Sequence, residues 1–386
     1  MKKVLVFGST GSIGRSALEV IRRDRKEFKI LGLCADRDIK TLLSQIKEFK
    51  PLYVCLRDQK QAKKLQKELT GRIKLFKGEE GLEEFSALDC DISLMAISGI
   101  SCLKPLLINI RHTKRIALAN KESIVTAGAL VFKQAKKYNT EILPVDSEIN
   151  AFFQLIEMNK NWQNSNDCFR RVHITASGGS LANCGKRDFA KVSVQKVLDH
   201  PNWNMGRRIT VDSATLVNKG FEVIETHFFF GLAFEKINIL IHKESMVHAM
   251  VECKDNTLFA CIYPADMKVP ISFALYYPQR SNFNSGINFK NNFSYTFEPI
   301  NYNRYPLLKI VLEAAKKKDN SLVVLNACDE IAIDYFLKKK IKFSDIYKAV
   351  EYIYSHYPQN KIKNEADIFF WDSWAREKTK EYLNKL

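Results

Sequence analysis

The sequence predicts an α/β protein in three parts: a parallel sheet wrapped by helices, a smaller α+β unit, and a helical bundle. Three observations carry that prediction. Short β-branched, apolar runs alternate with helix-patterned stretches up to Asp146, the texture changes beyond it, and the segment after Pro306 repeats with helical period. A chain of 386 residues also exceeds the usual reach of one hydrophobic core, so more than one domain is expected.

The first part, residues 1–146, opens with a strand pattern at Lys3–Phe7 and a helical pattern at Ala17, Leu18 and Ile21. Ile30–Ala35, Leu52–Leu56, Ile73–Phe76, Ile92–Ile97, Arg115–Ala119 and Glu141–Pro144 read as further buried strands, with helices such as Leu42–Phe49 and Gln59–Leu69 between them. That alternation implies a parallel sheet covered on both faces and connected by right-handed crossovers. The second part, residues 147–276, begins with a helix at Glu148–Glu157 and a polar stretch at Asn159–Asp167. A strand at Arg171–Thr175, a loop at His200–Gly206 and a helix from about Ser213 to Phe229 follow. Ser245–Glu252 and Thr257–Tyr263 look like antiparallel strands. Residues 277–302, rich in Asn, Pro, Ser and Gly, read as a linker. In residues 303–386, apolar positions such as Leu307, Leu308, Val311, Ile346, Val350, Ile353, Trp374 and Leu383 fall at helical spacing.

Composition narrows the function classes. A hydrophobic share of 46% with 27% charged residues is that of a globular protein. No apolar run approaches the length that spans a bilayer, and Val4–Phe7 is too short for a signal peptide. Nine scattered cysteines without a Cys-x-x-Cys pair read as reduced thiols of a cytoplasmic protein. The net charge of +17 comes with no nucleic-acid motif and no basic run interleaved with aromatics. It reads as lysine on solvated helix faces, with no nucleic-acid or membrane partner expected.

Three constellations carry chemistry. Gly8-Ser9-Thr10-Gly11-Ser12-Ile13-Gly14 joins the first strand to the first helix, where a tight backbone turn can meet a pyrophosphate at the helix N-terminus. The second strand ends at Asp36-Arg37-Asp38, an acid suited to a free ribose 2′-hydroxyl beside an arginine suited to a 2′-phosphate. The residues alone leave NADH and NADPH both open. Asp146-Ser147-Glu148 follows the last strand of the first part; in an extended segment both carboxylates would face one way and need a proton or cation between them. Its plain alternative is an exposed loop with a helix cap.

Downstream, Asp212 to Glu222 reads as a capped helix on which Asn218, Lys219 and Glu222 share a side. Lys219 suits a phosphate, Ser213 and Asn218 are donors, and Glu222 adds an oxygen ligand; all-oxygen ligation favours Mg²⁺ or Mn²⁺. An ordinary surface ion pair is the alternative for Lys219 and Glu222. Ser177-Gly178-Gly179-Ser180 can form an anion-binding nest or a simple turn. The loop His200-Pro201-Asn202-Trp203-Asn204-Met205-Gly206 reads either as a lid over a ligand or as a loop pinned by Trp203.

Together these motifs, with Leu118-Ala-Asn-Lys-Glu-Ser123 and Thr175-Ala-Ser-Gly-Gly179, stand in the order and spacing of one family, and Asn326-Ala-Cys-Asp-Glu330 resembles the start of a helix in that family's C-terminal bundle. The chain resembles the 1-deoxy-D-xylulose 5-phosphate reductoisomerases along nearly its whole length. The resemblance implies a V-shaped cytoplasmic homodimer of three-domain subunits: Rossmann-like, catalytic/connective and helical. It also implies NADPH- and Mg²⁺- or Mn²⁺-dependent conversion of 1-deoxy-D-xylulose 5-phosphate to 2-C-methyl-D-erythritol 4-phosphate, in the non-mevalonate route to isoprenoids.

Carried over by motif, Asp146, Glu148 and Glu222 would ligate the metal, and Lys121, Asp146, Glu148, His200 and Glu222 would form the catalytic set. Ser177, Ser213, Asn218 and Lys219 would hold the substrate phosphate, with His248 near it. Lys121 and Ser147 would meet substrate oxygens, and His200 and Trp203 would lie on the lid. Gly8, Ser9, Thr10, Gly11, Ser12, Ile13, Arg37, Asn120, Glu122, Met205 and Gly206 would contact the cofactor. Retro-aldol/aldol and 1,2-shift routes both fit these parts. The Asp36-Arg37-Asp38 triplet departs from the family's usual Gly-Lys/Arg-Asn, Ser180-Leu181 stands for Pro-Phe, and Ile97–Cys102 is atypical; none of these removes a metal or phosphate ligand.

Two other classes of function compete. A dehydrogenase of another phosphorylated carbonyl compound would need no three-carboxylate site, and a basic nucleotide sensor or nucleic-acid binder would show steeply salt-dependent polynucleotide binding. If Arg37 meets the 2′-phosphate, Arg37→Ala raises the Michaelis constant for NADPH more than that for NADH. Steady-state kinetics with both cofactors checks this, and equal effects would contradict the role.

Overall fold

The computed structural model describes residues 1–69, 71–159, 169–185, 189, 191–203, 205–282, 286–288, 290 and 293–386. The polar stretch expected at 159–167, apart from Asn159, and Asn204 of the expected lid lie outside the described residues.

In chain order the elements are β1 Lys2–Phe7, α1 Ser12–Arg23, β2 Phe28–Ala35, α2 Ile39–Phe49, β3 Tyr53–Leu56, α3 Gln59–Glu68, β4 Lys74–Lys77, α4 Gly78–Ser86, β5 Cys90–Met95, α5 Leu103–Asn109, β6 Thr113–Leu118, α6 Lys121–Tyr138 and β7 Glu141–Pro144. They continue as α7 Ser147–Met158, β8 Phe169–Ala176, α8 Val194–Leu198, α9 Arg207–Thr215, α10 Val217–Phe230, β9 Ile237–Ile241, β10 Val247–Cys253, β11 Leu258–Ile262, α11 Lys268–Tyr276 and β12 Glu298–Pro299. Four helices close the chain: α12 Pro306–Ala315, α13 Ser321–Leu337, α14 Phe343–His356 and α15 Glu365–Leu383.

Contacts divide the chain into two compact units, one formed by Met1–Ser123, Ala129–Asn150 and Met267–Ser285 and the other by Ile124–Gly128, Ala151–Asp266 and Gly286–Leu386. The first contains a parallel sheet of order β4-β3-β2-β1-β5-β6-β7. All seven predicted strands are present, each within two residues of its expected bounds. Their apolar runs are buried because helices cover both faces, as parallel sheets require. Strand order reverses between β1 and β5, and that switch point opens a crevice beyond the strand ends.

The expected three-way division is not how contacts group. Helix α11 joins the first unit, where Tyr276 packs edge-on against Phe28 and donates its hydroxyl to Asp24 at 2.9 Å. Beyond it, Arg115 donates to the Tyr277 carbonyl at 2.5 Å and to Glu141 at 2.6 Å, so part of the expected linker is anchored.

The second unit is built on a five-stranded sheet of order β11-β10-β8-β9-β12. The antiparallel pairing of β10 with β11 matches the alternation in the sequence, whereas β8 and β9 pair in parallel across the α8–α10 crossover. One continuous apolar core joins α9 and α10 to the four terminal helices, through residues such as Val211, Phe221, Val324, Phe336, Ile346 and Ile353. No disulfide joins the described cysteines, and no helix among the described residues is long and apolar enough to cross a membrane.

Two helix boundaries correct the sequence reading. The helix expected from about Ser213 is two helices, because Leu216 takes a left-handed conformation (φ 60°) that ends α9 and starts α10. Asn326-Ala-Cys-Asp-Glu330 lies inside α13, not at its start; the helix begins five residues earlier at Ser321.

Buried charges tie α9 to the terminal helices. Arg208 reaches Glu330 at 3.0 Å, Asn326 at 2.9 Å, Asp212 at 3.6 Å and Asp329 at 3.8 Å. Burial and the adjacent Asp212 carboxylate push the Asp329 carboxyl well above its usual range, favouring its protonated form. Arg208→Met would leave these acids without their shared cation, and should cost about 3–5 kcal/mol, the penalty for breaking a buried ion pair. Urea unfolding checks this; a loss below ~1 kcal/mol would place Arg208 with exposed ion pairs.

Candidate active site

In the first unit, the glycine loop occupies the crevice at the β1/β5 switch point. Gly8 has φ +77°, and a Cβ there would overlap the Ala96 carbonyl, so only glycine lets the loop pass beside β5. The Gly11 N–H bonds the Gly8 carbonyl at 3.0 Å, and Gly11 caps α1, leaving Ser12 and Ile13 in that helix's first turn. Ser9 is buried, its N–H on the Cys34 carbonyl at 2.8 Å and its carbonyl on Gln45 at 2.8 Å. A cavity of about 260 Å³ is lined by Gly8, Thr10, Gly11, Asp36, Arg57 and Ile97, among others. Arg37, expected at the ribose, is 76% exposed and folded back on Asp36 at 2.9 Å, while Asp38 caps α2.

Asn120 and Glu122 support this crevice from behind. The Asn120 amide donates to the carbonyls of Ile97 and Gly99 at 2.9 and 3.1 Å and to Glu122 at 2.8 Å. Glu122 accepts the Gly99 N–H at 3.1 Å. Both side chains therefore brace the loop that follows β5 and lines the cavity. The same segment starts α6, whose N-cap is Asn120 itself.

The Asp146-Ser147-Glu148 triplet is not extended, as expected from sequence, but turns from β7 into α7. The Asn150 N–H bonds the Asp146 carbonyl at 2.9 Å to close the first helical turn, and the Asn150 amide braces the Pro144 carbonyl at 2.8 Å. Ser147 donates to Glu148, and Lys121 donates to Asp146 at 2.7 Å with both side chains largely buried. The other Asp146 carboxylate oxygen, Oδ1, is buried and has no hydrogen-bond partner among the described residues. An acceptor left bare in this way fits a cation.

In the second unit, α10 buries a charge pair. Glu222 is 1% exposed and Lys219 3%, and the lysine donates directly to the carboxylate one turn away. Asn218 donates to the other Glu222 oxygen at 2.5 Å. The exposed ion pair considered as an alternative is therefore excluded. Ser213 sits one turn earlier at the end of α9, and its hydroxyl makes no hydrogen bond among the described residues.

The Ser177–Gly179 loop packs on that same helix end. A Cβ on Gly179 (φ +70°) would lie 2.6 Å from the Ala214 Cα, so glycine alone allows the loop to approach the Ser213–Ala214 backbone. Arg304 and Tyr305, just before α12, hold this loop from the far side, through the Leu181 and Cys184 carbonyls and the Gly178 carbonyl. The sequence reading missed this brace, because its partners are backbone atoms more than a hundred residues away.

His200 anchors the neighbouring loop. Its Nδ1 accepts N–H groups from Asn202 at 3.2 Å and Trp203 at 3.0 Å, which leaves the ring proton on Nε2 to donate to Ser177 at 3.0 Å. Trp203 packs edge-on against the buried His248, which stacks on Tyr263 at 3.9 Å. Asn202 ties the loop to the Lys243 carbonyl and to Ser245. The loop is thus docked through Trp203. Met205 is half-buried, and the exposed Gly206 caps α9.

Family models for the 1-deoxy-D-xylulose 5-phosphate reductoisomerases match residues 4–128, 142–230 (its C-terminal domain) and 262–378 (the DXP reductoisomerase C-terminal domain). The chain belongs to this family. It is 41% identical to the reductoisomerase of Thermoanaerobacter pseudethanolicus over 99% of this chain and all of that protein. The fold superposes on the Zymomonas mobilis reductoisomerase in complex with NADPH with a TM-score of 0.91, at 35% identity and full coverage of both chains. A reductoisomerase bound to NADPH, fosmidomycin and magnesium gives a TM-score of 0.92 at 32% identity, over 100% of this chain and 98% of that one.

Burial lowers the His200 pKa from its usual 6.5. The unfolded chain therefore binds a proton that the native loop refuses. Stability contributed by neutral His200 is intact above that value and is lost as pH falls below it towards the folded pKa. Histidine side-chain NMR should show His200 titrating below 6.5 with the Nε2–H tautomer above the transition; titration at or above 6.5 would contradict the assignment.

Proposed function

We propose that this chain converts 1-deoxy-D-xylulose 5-phosphate to 2-C-methyl-D-erythritol 4-phosphate, using NADPH and a divalent metal ion, for isoprenoid precursor synthesis. The observation that carries the reading is whole-length membership of the reductoisomerase family, at 41% identity over 99% of the chain. No second reading is favoured: a dehydrogenase without rearrangement would have no use for the buried carboxylate of Glu222.

Asp146, Glu148 and Glu222 would hold the metal. Their donor set is all carboxylate oxygen, which suits a hard ion such as Mg²⁺ or Mn²⁺, and the bare Asp146 Oδ1 is an acceptor in need of a cation. Lys121 on Asp146 and Lys219 on Glu222 already neutralise two of these acids. A bound divalent ion supplies Lewis-acid stabilisation of oxyanion charge, and NADPH supplies the hydride. Everything else falls to the chain's own residues.

Ser177, Ser213, Asn218 and Lys219 would bind the substrate phosphate. Three are neutral donors, and Lys219 brings the single positive charge, released from Glu222 as that acid takes another cation. Phosphate binding well away from the reacting carbons supplies energy to orient them. Lys121 and Ser147 would donate to substrate oxygens. His200 would keep Ser177 aimed at the phosphate, and Trp203 on His248 would exclude water from the reacting centre. The glycine loop from Gly8 to Ile13 would carry the pyrophosphate and Arg37 the ribose end, in a crevice braced by Asn120 and Glu122, and Met205 and Gly206 would meet the nicotinamide end. A homodimer in the cytoplasm completes the proposal.

Glu222→Gln removes a ligand charge but keeps the shape of α10. Turnover should fall by more than the ~10–100-fold that loss of a supporting partner costs at metal sites, with NADPH affinity nearly unchanged. NADPH oxidation with and without Mg²⁺, together with fluorescence titration of NADPH, measures both. Near-normal rates in the variant, or full activity of the unaltered chain in excess chelator, would overturn the metal assignment.

A further inference from the structure

The nucleotide crevice carries a second arginine that its motifs do not announce. Arg57 follows β3, and β3 lies beside β2 in the sheet, so its side chain lines the same cavity as Gly8, Thr10, Gly11 and Asp36. Its backbone N–H bonds the Ala35 carbonyl at 3.1 Å, fixing it against the end of β2. Arg37 stands outside that wall and points to solvent.

The Asp36 carboxylate lies between both guanidiniums, 2.9 Å from Arg37 Nε and 4.0 Å from Arg57 Nη1. An unaccompanied acid at the end of β2 would suit a free ribose 2′-hydroxyl and repel a 2′-phosphate. Here the acid is accompanied by two arginines. Arg57 also holds Glu79, but that carboxylate is 65% exposed, and water replaces such a partner at small cost. A phosphate dianion is a stronger partner for a planar guanidinium, accepting two parallel hydrogen bonds from it. Arg57 is 36% exposed against 76% for Arg37, so it loses less freedom on binding.

We propose that Arg57 is the residue that selects NADPH over NADH in this chain, its guanidinium leaving Asp36 and Glu79 for the 2′-phosphate. Asp36 then turns to the neighbouring ribose hydroxyl, and Arg37 adds a weaker, solvent-side charge. The inference rests on NADPH being the cofactor.

The test is calorimetric titration of the full-length chain with adenosine 2′,5′-bisphosphate and with 5′-AMP, which differ only in the 2′-phosphate. In Arg57→Ala the bisphosphate Kd should rise roughly tenfold or more, the loss of one charge-assisted contact, with the 5′-AMP Kd little changed. Arg37→Ala should have the smaller effect. Glu79→Gln, which removes the competitor for Arg57, should bind the bisphosphate as tightly as the unaltered chain or more tightly. An unchanged ratio of the two Kd values in Arg57→Ala overturns the proposal, as does an equal loss of both ligands or a larger effect from Arg37→Ala. If the unaltered chain itself shows no preference for the bisphosphate, the NADPH reading fails before any substitution is made.

Discussion

Two opposite charges lie almost wholly out of water at Lys219 and Glu222, and neither could be there alone. Desolvating a single ammonium or carboxylate costs several kcal/mol, so each is tolerable only while the other is present or a ligand takes its place. That constraint fixes the register of α10, because only residues one turn apart on one face can meet. It also explains Asn218, which satisfies the second carboxylate oxygen. Under the proposed function the arrangement would be poised: a phosphate competing for Lys219 would free Glu222, and a cation on Glu222 would free Lys219, so each would assist the other's binding.

The same logic appears in the first unit, where Lys121 neutralises Asp146 and leaves one carboxylate oxygen bare. In both units the candidate site residues stand where one element ends and the next begins. The glycine loop enters α1, the Asp146 triplet enters α7, and Leu216 separates α9 from α10. Helix starts offer unpaired N–H groups and a positive end of the dipole, so acids and phosphates are favoured there. Strands and helices supply rigidity, and the breaks between them supply the donors.

Most of the fold could be read from sequence, and the exceptions share a cause. The seven strands of the first sheet are continuous apolar runs, which local pattern reveals directly. Leu216 could not be foreseen as a break, since leucine has no preference for positive φ and nothing in the local sequence marks the junction of α9 and α10. Helix α11 looks like part of the middle segment until Tyr276 is seen to reach Asp24. Arg304 and Arg57 were invisible for the same reason: each acts on residues brought near by sheet order or by chain return. Asn120 and Glu122 illustrate a subtler gap, because their motif is legible but their bracing of the Ile97–Gly99 backbone is not.

The charge of the whole chain, +17, says little about any of this. Among the described residues every lysine except Lys121 and Lys219 is at least partly exposed, where solvent and salt screen its charge. The cations that matter are those held close to acids in partly or wholly buried places: Lys219 at Glu222, Lys121 at Asp146, Arg208 among Asp212, Asp329 and Glu330. Each sits among at least as many carboxylates as it neutralises, so the interior carries no positive surplus. Under the proposed function, an anionic substrate would gain at such a site where a buried cation can exchange one partner for another.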